Sequence, residues 1–191
     1  PQGGPLSPRL SNLMLDDLDR ELEKRGLRFA RYADDCNIYV ASERAGRRVM
    51  ESVSRFITTR LKLKVNESKS AVARPKERKF LGFSFTSDSP PKRRVAPKSV
   101  ERFKDRVRAI TDQARGKSIE STIRELASYL DGWRNYYAPC EVTWIFPKLD
   151  KWIRRRLRAA IWRQWRLPRK RYAELRKLGA DHILAASAAG C

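Results

Sequence analysis

Two adjacent carboxylates, Asp34 and Asp35, are the residues of this chain whose type and spacing point most directly to chemistry. They lie between two runs that favour β-strands, residues 27–31 and 36–40, and this order predicts a hairpin with the acids at its tip. Mg²⁺ binds hard oxygen ligands and accepts one or two carboxylates while water and phosphate fill its other positions. The pair therefore indicates a phosphoryl-transfer site, and a plain polar turn is the alternative.

One side of the predicted hairpin is mostly apolar. Alternate residues of a strand point to the same face, so residues of one parity along the chain are expected together. The even-numbered set consists of Ala30, Tyr32, Cys36, Ile38 and Val40. We expect this face to pack on a core and to hold the two carboxylates out on a rigid turn.

The composition predicts a folded protein that binds a polyanion. A hydrophobic content of 41% supports a core, and 191 residues suffice for one domain or two small ones. The net charge of +21 favours nucleic acid as a partner, with an acidic membrane surface second. The excess is uneven, because the first 91 residues carry 18 basic and 12 acidic side chains and the remaining 100 carry 25 and 10. No stretch approaches the length of a membrane span.

The three cysteines, Cys36, Cys140 and Cys191, make an odd count with no close pair. Neither a disulfide framework nor a zinc site is indicated, and a reducing, cytoplasmic setting is expected. The sequence begins at Pro1 rather than at a methionine. We therefore expect it to be an internal piece of a longer protein.

The first half predicts strands packed with helices. The glycine-rich residues 1–8 lead into a helix with Ser7 as N-cap and Pro8 as first helical residue, and apolar residues at helical spacing continue to Lys24. Backbone N–H groups of such a loop can bind a phosphate. Ser42 is expected to cap a second helix, and extended segments follow at residues 63–70 and 80–85.

A break in composition at residues 88–94 predicts a domain boundary, with one domain at residues 1–90 and a second at residues 91–191. Beyond the break, apolar residues three and four apart predict three amphipathic helices, which make a small bundle. The fold class expected for the whole chain is α+β, with antiparallel strands and packed helices followed by an all-α bundle.

Residues 151–177 form the most basic segment, with 12 lysines and arginines and a single acid, Glu174. Tryptophans and a tyrosine are interleaved with these charges. So few acids leave little internal ion pairing, and we expect an external polyanion to relieve the repulsion. The residues expected to bind RNA are Arg154, Arg155, Arg158, Arg163, Arg166, Arg169, Lys170 and Arg171.

Four short motifs, taken in order, resemble those of group II intron-encoded reverse transcriptases. Residues 1–8 resemble the family's P-Q-G-x-x-L-S-P loop, and residues 31–35, R-Y-A-D-D, resemble its metal-binding hairpin. Residues 66–70 resemble its N-x-x-K-[ST] segment, and residues 80–83 its F-L-G-F strand. In the second half, residues 130–137, 152–158 and 165–168 resemble the thumb, or maturase domain, which binds intron RNA in that family. The first half correspondingly resembles a partial polymerase palm.

The resemblance implies a role for each matching residue. Asp34 would ligate a catalytic pair of Mg²⁺ ions with the support of Asp35, and Lys69 would lie near the leaving phosphates. The residues implied to contact the nucleotide and its template are Gln2, Gly3, Tyr32 and Ala33. Those implied to steady the primer end are Leu81 and Gly82. The implied partners are intron RNA as template, a DNA primer and a dNTP substrate, without a membrane.

The family's active site also uses an aspartate upstream of the glutamine-glycine loop, and this sequence starts at that loop. The third carboxylate ligand of the metal pair is therefore expected to lie outside the 191 residues, and we expect the isolated chain not to polymerise. Three other interpretations remain: a non-catalytic RNA-binding splicing factor with vestigial polymerase residues, another reverse transcriptase such as a retron or diversity-generating enzyme, and a membrane-surface protein.

Overall fold

The structure of the protein is a computed structural model that describes residues 6–112 and 117–190. The chain divides into two compact units, Pro1–Leu81 and Gly82–Cys191. The described residues form seven α-helices and two antiparallel two-stranded sheets. The predicted α+β class is confirmed.

The first unit places a hairpin between two helices. Helix α1 spans Ser7–Lys24, strand β1 Arg28–Tyr32, strand β2 Asp35–Tyr39 and helix α2 Glu43–Thr59, and a short 3-10 turn follows at Pro75–Glu77. The predicted order of helix, hairpin and helix is confirmed. Residues 63–70, in contrast, are irregular and turn at 67–69, so the extended segment predicted there is wrong.

The start of α1 corrects the sequence prediction by one residue. Ser7 is the first helical residue rather than the N-cap, and the N-cap is Leu6, which makes no side-chain capping hydrogen bond. Pro8 follows within the first turn, where a missing N–H costs no helical hydrogen bond. Past the last turn comes Gly26, whose φ of 65° suits glycine, so the helix ends where predicted.

Helix α2 begins as predicted, because the Ser42 hydroxyl accepts a hydrogen bond of 3.2 Å from the N–H of Ala45. Its buried Val53 packs with Leu18 and Leu22 of α1 to form the core of the first unit. Four partly buried residues also pack against this core: Val49, Phe56 and Ile57 of α2, and Leu61 just after the helix.

The face of the hairpin that meets this core differs from the prediction. Phe29 pairs with Ile38 and Arg31 with Cys36, so odd-numbered residues of β1 share a face with even-numbered residues of β2. A two-residue turn joins the strands, and partners across it therefore have opposite parity. Phe29, Cys36 and Ile38 pack on the core, whereas Tyr32 is exposed.

The second unit consists of a small sheet and five helices. Strands β3 and β4 span Phe83–Phe85 and Arg93–Val95, and the helices are α3 Pro97–Asp112, α4 Ile119–Tyr137, α5 Ile145–Gln164, α6 Pro168–Lys177 and α7 His182–Ala189. The strand predicted from residue 80 starts only at Phe83, because Leu81 and Gly82 have φ angles of 51° and 80°, outside the range of a strand.

The three predicted helices correspond to α3, α4 and α5, but the bundle prediction is wrong in helix number. Helix α5 ends at Gln164 with Trp165 as its C-cap. Leu167 is extended with ψ at 137°, the conformation favoured before a proline, and Pro168 starts a separate helix, α6. Asp181 then caps α7 by accepting hydrogen bonds from the N–H groups of Ile183 and Leu184. The basic segment therefore covers two helices.

Aromatic rings fill much of the core of the second unit. Phe103 of α3 is buried, and its ring centroid lies 4.4 Å from that of Trp133 on α4. Trp133 in turn lies 4.6 Å from Tyr137, whose ring lies 5.1 Å from Phe83 of β3. Aliphatic residues of α3, α4 and α5 complete the cluster: Val107, Ile110, Leu126, Leu149 and Ile153.

Candidate functional site

The two carboxylates lie at the tip of the hairpin, as predicted. Tyr32 pairs with Asp35 as the last pair of the ladder, and Ala33 and Asp34 form the turn between them. Ala33 has a φ of 53°, so the turn bends through a conformation that a residue with a side chain rarely adopts. Asp34 and Asp35 are both exposed and have no ion-pair partner among the described residues.

Arg31 ties this turn to α1. Its Nε donates to Asp19 Oδ1 at 2.8 Å and to Oδ2 at 3.0 Å, and Nη2 also donates to Oδ2. Its Nη1 donates to Asn12 Oδ1 and to the backbone oxygen of Ala33, both at 3.0 Å. The hydrogen bond to Asp19 raises the pKa of Arg31, and only 13% of the arginine side chain is exposed. One guanidinium thus joins helix α1 to the turn that carries Asp34.

The donor set at the tip fits a hard divalent cation. Two exposed carboxylates on consecutive residues offer oxygen ligands without competition from an internal cation, and Mg²⁺ requires only one or two such ligands from protein. In the part of the chain that the structure describes, no three His, Cys, Asp or Glu residues cluster in a way that could hold a metal. Among the described residues, the hairpin therefore provides two carboxylates as ligands for a metal ion, without a third nearby.

The other residues predicted for nucleotide and primer contacts have different outcomes. Gln2 and Gly3 lie outside the described residues. Tyr32 and Ala33 are exposed beside the acids. Lys69 is exposed in the turn after residue 66, where its N–H donates to the backbone oxygen of Asn66 at 3.2 Å. Tyr32 and Ala33 thus adjoin Asp34 and Asp35 at the tip of the hairpin, whereas Lys69 lies in a separate turn.

Gly82, predicted to steady a primer, also has a local structural reason to be glycine. Its φ is 80°, and an added Cβ would lie 2.4 Å from the hydroxyl oxygen of Tyr137. Its backbone oxygen accepts hydrogen bonds from the N–H of Ala96 at 2.9 Å and from the Ser99 hydroxyl at 3.1 Å. Leu81, just before it, also has a positive φ and is partly exposed.

The basic segment separates into charges used inside the fold and charges turned to solvent. Arg156 Nη2 donates to Thr111 Oγ1 at 2.9 Å and to Asp112 Oδ1 at 2.8 Å, and Arg163 reaches the same Asp112 at 3.4 Å. Arg154 pairs with Asp150 at 3.0 Å. The expectation of little internal pairing is therefore wrong for these three arginines, because acids outside residues 151–177 reach them.

Arg171 also has a role within the fold. Its Nε donates to the backbone oxygen of Trp165 at 2.8 Å, and its guanidinium carbon lies 4.8 Å from the ring centroid of Trp162. These contacts hold the start of α6 against the end of α5. Of the residues predicted to bind RNA, those that are exposed without an ion-pair partner in the described residues are Arg155, Arg158, Arg166, Arg169 and Lys170.

Two structurally important residues were not singled out by the sequence analysis. Arg31 belongs to the R-Y-A-D-D string, but only the hairpin register places its side chain on the face toward α1. Asp112 lies more than 40 positions before its arginine partners, and no local pattern connects them.

Two family models match the chain, one in each half. Residues 1–85 match the model for reverse transcriptase (RNA-dependent DNA polymerase), the class of enzyme that the hairpin motif predicts. Residues 100–179 match the model for the group II intron, maturase-specific domain. Together the two matches indicate a part of a group II intron reverse transcriptase and maturase, and they support RNA-directed DNA polymerase and intron maturase functions for the full-length protein. No curated protein matches it.

The second match favours the group II family over the retron and diversity-generating alternatives. Both families act on nucleic acid, as the net charge predicts. None of the helices in residues 6–112 and 117–190 combines the length and apolar character that a membrane crossing requires. The division predicted at residues 90 and 91 stays a prediction; the two family matches end at 85 and begin at 100.

Proposed function

We propose that the hairpin tip is the metal-binding part of the polymerase site and that the solvent-facing charges of α5 and α6 bind intron RNA. The observation that supports the first part is the pair of exposed carboxylates, Asp34 and Asp35, on a turn held by Arg31. In this proposal the first unit is part of the palm and the second is the thumb.

Within the proposed site, Asp34 and Asp35 hold Mg²⁺. When bound, two Mg²⁺ ions stabilise the attacking 3′-oxygen of the primer and the pyrophosphate that leaves the dNTP. Ala33 has the smallest side chain that still offers a Cβ, so it leaves space for the primer terminus. The proposed contacts of Gln2, Gly3 and Tyr32 with the nucleotide and template, of Lys69 with phosphates, and of Leu81 and Gly82 with the primer rest on the family resemblance.

Paramagnetic mapping tests the metal site. Mn²⁺ substitutes for Mg²⁺ and broadens the amide signals of nearby residues in an NMR spectrum of the isotope-labelled chain. We expect the strongest broadening at residues 33–36, its loss in Asp34→Asn, and no change in Asp88→Asn, which alters another exposed aspartate. Equal broadening in all three proteins would contradict the metal assignment.

A matched pair of arginines tests the RNA surface. Arg158 is exposed, whereas Arg156, two positions earlier, is held by Thr111 and Asp112. Arg158→Ala should weaken binding to a short RNA duplex and reduce the slope of log affinity against log salt by about 1, because one phosphate contact is lost. Arg156→Ala should leave that slope unchanged and lower stability instead, by about 1–3 kcal/mol.

Fluorescence anisotropy of a labelled duplex measures both slopes. Equal slopes for wild type and Arg158→Ala would contradict the assignment of α5 to RNA. RNA binding together with no metal at the hairpin would instead support the non-catalytic splicing factor.

For the location of the protein in the cell, we propose the cytoplasm, because the described cysteines, Cys36 and Cys140, are free thiols.

A further inference from the structure

We infer that Arg31 is a positioning residue of the polymerase site, which sets the geometry of the Ala33–Asp34 turn from α1. This inference rests on the proposed metal site. Arg31 lies on β1, two residues before Ala33, and its side chain reaches both the helix and the turn. It would touch neither metal nor substrate and would act through the backbone of the turn.

The guanidinium is oriented by α1. Its Nε and Nη2 edge faces the two oxygens of Asp19, the bidentate geometry that a planar fork favours. This edge fixes the plane, and the two hydrogens of Nη1 then point elsewhere. One meets Asn12 Oδ1 and the other meets the oxygen of Ala33, each at 3.0 Å.

The turn needs this external contact. Ala33 has a φ of 53°, and residues with a side chain hold such a conformation only where the surroundings determine it. A glycine there would adopt the turn without strain, but the chain has alanine. The peptide oxygen that Arg31 holds belongs to Ala33 and therefore to the peptide bond that enters Asp34. Fixing that peptide fixes the direction in which the Asp34 carboxylate leaves the chain.

The contact is specific to Arg31 among the arginines of β1. Arg28 lies at the other end of the same strand, is exposed, and has no ion-pair partner in the described residues. Lysine at position 31 would keep the charge and could pair with Asp19, but a single ammonium cannot meet Asp19, Asn12 and the Ala33 oxygen in one fixed plane. Arg31→Lys therefore keeps the positive charge but removes the planar arrangement of donors, so it tests the geometry of the contact alone.

The experiment compares wild type, Arg31→Lys and Arg28→Lys by NMR in two measurements. The first is the backbone order of the Ala33 and Asp34 amides, measured by their ¹H–¹⁵N nuclear Overhauser effect without metal. The second is the midpoint of a Mg²⁺ titration followed at the same amides. We expect Arg31→Lys to lower the order at both amides and to raise the Mg²⁺ midpoint by roughly two- to tenfold, the effect of one lost hydrogen bond. Arg28→Lys should change neither.

Unchanged order and an unchanged midpoint in folded Arg31→Lys would overturn the inference. If that variant does not fold, Asp19→Asn, which weakens the edge that orients the fork, replaces it with the same expected and overturning results. The proposed function fails separately, when wild-type amides at residues 33–36 do not respond to Mg²⁺. The order measurement still decides the role of Arg31 in that case, because it requires no metal.

Discussion

Replacing Gly82 by alanine should strongly destabilise the second unit. At a φ of 80°, a Cβ costs about 1 kcal/mol, the penalty of the left-handed region for an L-residue. The same Cβ would lie 2.4 Å from the Tyr137 hydroxyl oxygen. Tyr137 is only 6% exposed and packs between Phe83 and Trp133, so its ring has little room to withdraw. Overpacking of this kind costs about 2 kcal/mol, and the expected total is about 3 kcal/mol.

Urea unfolding followed by tryptophan fluorescence measures this loss selectively. All five tryptophans lie beyond residue 82, so the signal reports the second unit alone. With a urea dependence of about 2 kcal/mol per molar, the midpoint should fall by about 1.5 M. Gly132→Ala is the matched control, because Gly132 is exposed on α4 and its added Cβ meets nothing within 4 Å. That change should stabilise the unit by about 0.5–1 kcal/mol.

A double substitution separates the two contributions. In Gly82→Ala with Tyr137→Phe, the clashing hydroxyl is gone and the nearest ring carbon lies 3.4 Å from the new Cβ, an ordinary contact. About 2 kcal/mol should return relative to the Tyr137→Phe background, leaving the backbone cost and the 3.3 Å contact of the new Cβ with Ser99 Oγ. A midpoint for Gly82→Ala within 0.25 M of wild type, or no recovery in the double variant, would refute this reasoning.

Three further outcomes follow from local contacts. Ser118→Ala should lower the stability of the second unit by about 1 kcal/mol in the same urea assay, because the Ser118 hydroxyl caps α4 through Ser121; a loss below 0.3 kcal/mol would contradict the cap. Burial raises the pKa of the Cys36 thiol, so its alkylation by iodoacetamide should have a pH midpoint above that of a small free thiol, and a midpoint at or below that value would be inconsistent with burial. Hydrogen bonds from Arg93 lower the pKa of Glu141 below 4.5, so its ionised form should stabilise the second unit above that pH and lose this effect as the pH falls through the folded pKa. Glu141→Gln should reduce the loss of stability of the second unit at acid pH, and the same dependence of stability on pH in wild type and variant would exclude the contribution of Glu141.

The local features of this fold were predictable because short-range chemistry determines them. Two β-prone runs around Ala33 and Asp34 leave few arrangements other than a hairpin, and Ser42 precedes an apolar periodicity that only a helix satisfies. The same holds for α4, Ile119–Tyr137, where apolar residues recur at helical spacing. In each case the deciding residues lie within a few positions of one another.

The features that the sequence left undetermined depend on distances along the chain or on one torsion angle. The face of β1 that meets the core depends on the number of residues in the turn. The residue types of β1 do not decide whether its even-numbered residues, such as Ala30 and Tyr32, or its odd-numbered residues face the core. The pairing of Arg156 with Asp112 depends on how α5 packs on α3. The role of Arg31 depends on both, because it needs the register of the hairpin and the position of Asp19 on α1.

The central claim is that the Asp34–Asp35 turn serves Mg²⁺-dependent DNA synthesis on an RNA template. Its most direct measurement is primer extension on an RNA template by the reverse transcriptase that carries this hairpin, with wild-type, Asp34→Asn and Asp88→Asn proteins compared at equal concentration. Because a metal at such a site contributes several kcal/mol to the transition state, Asp34→Asn should reduce the rate by about a thousandfold, and Asp88→Asn should not change it. Equal rates for wild type and Asp34→Asn would contradict the account.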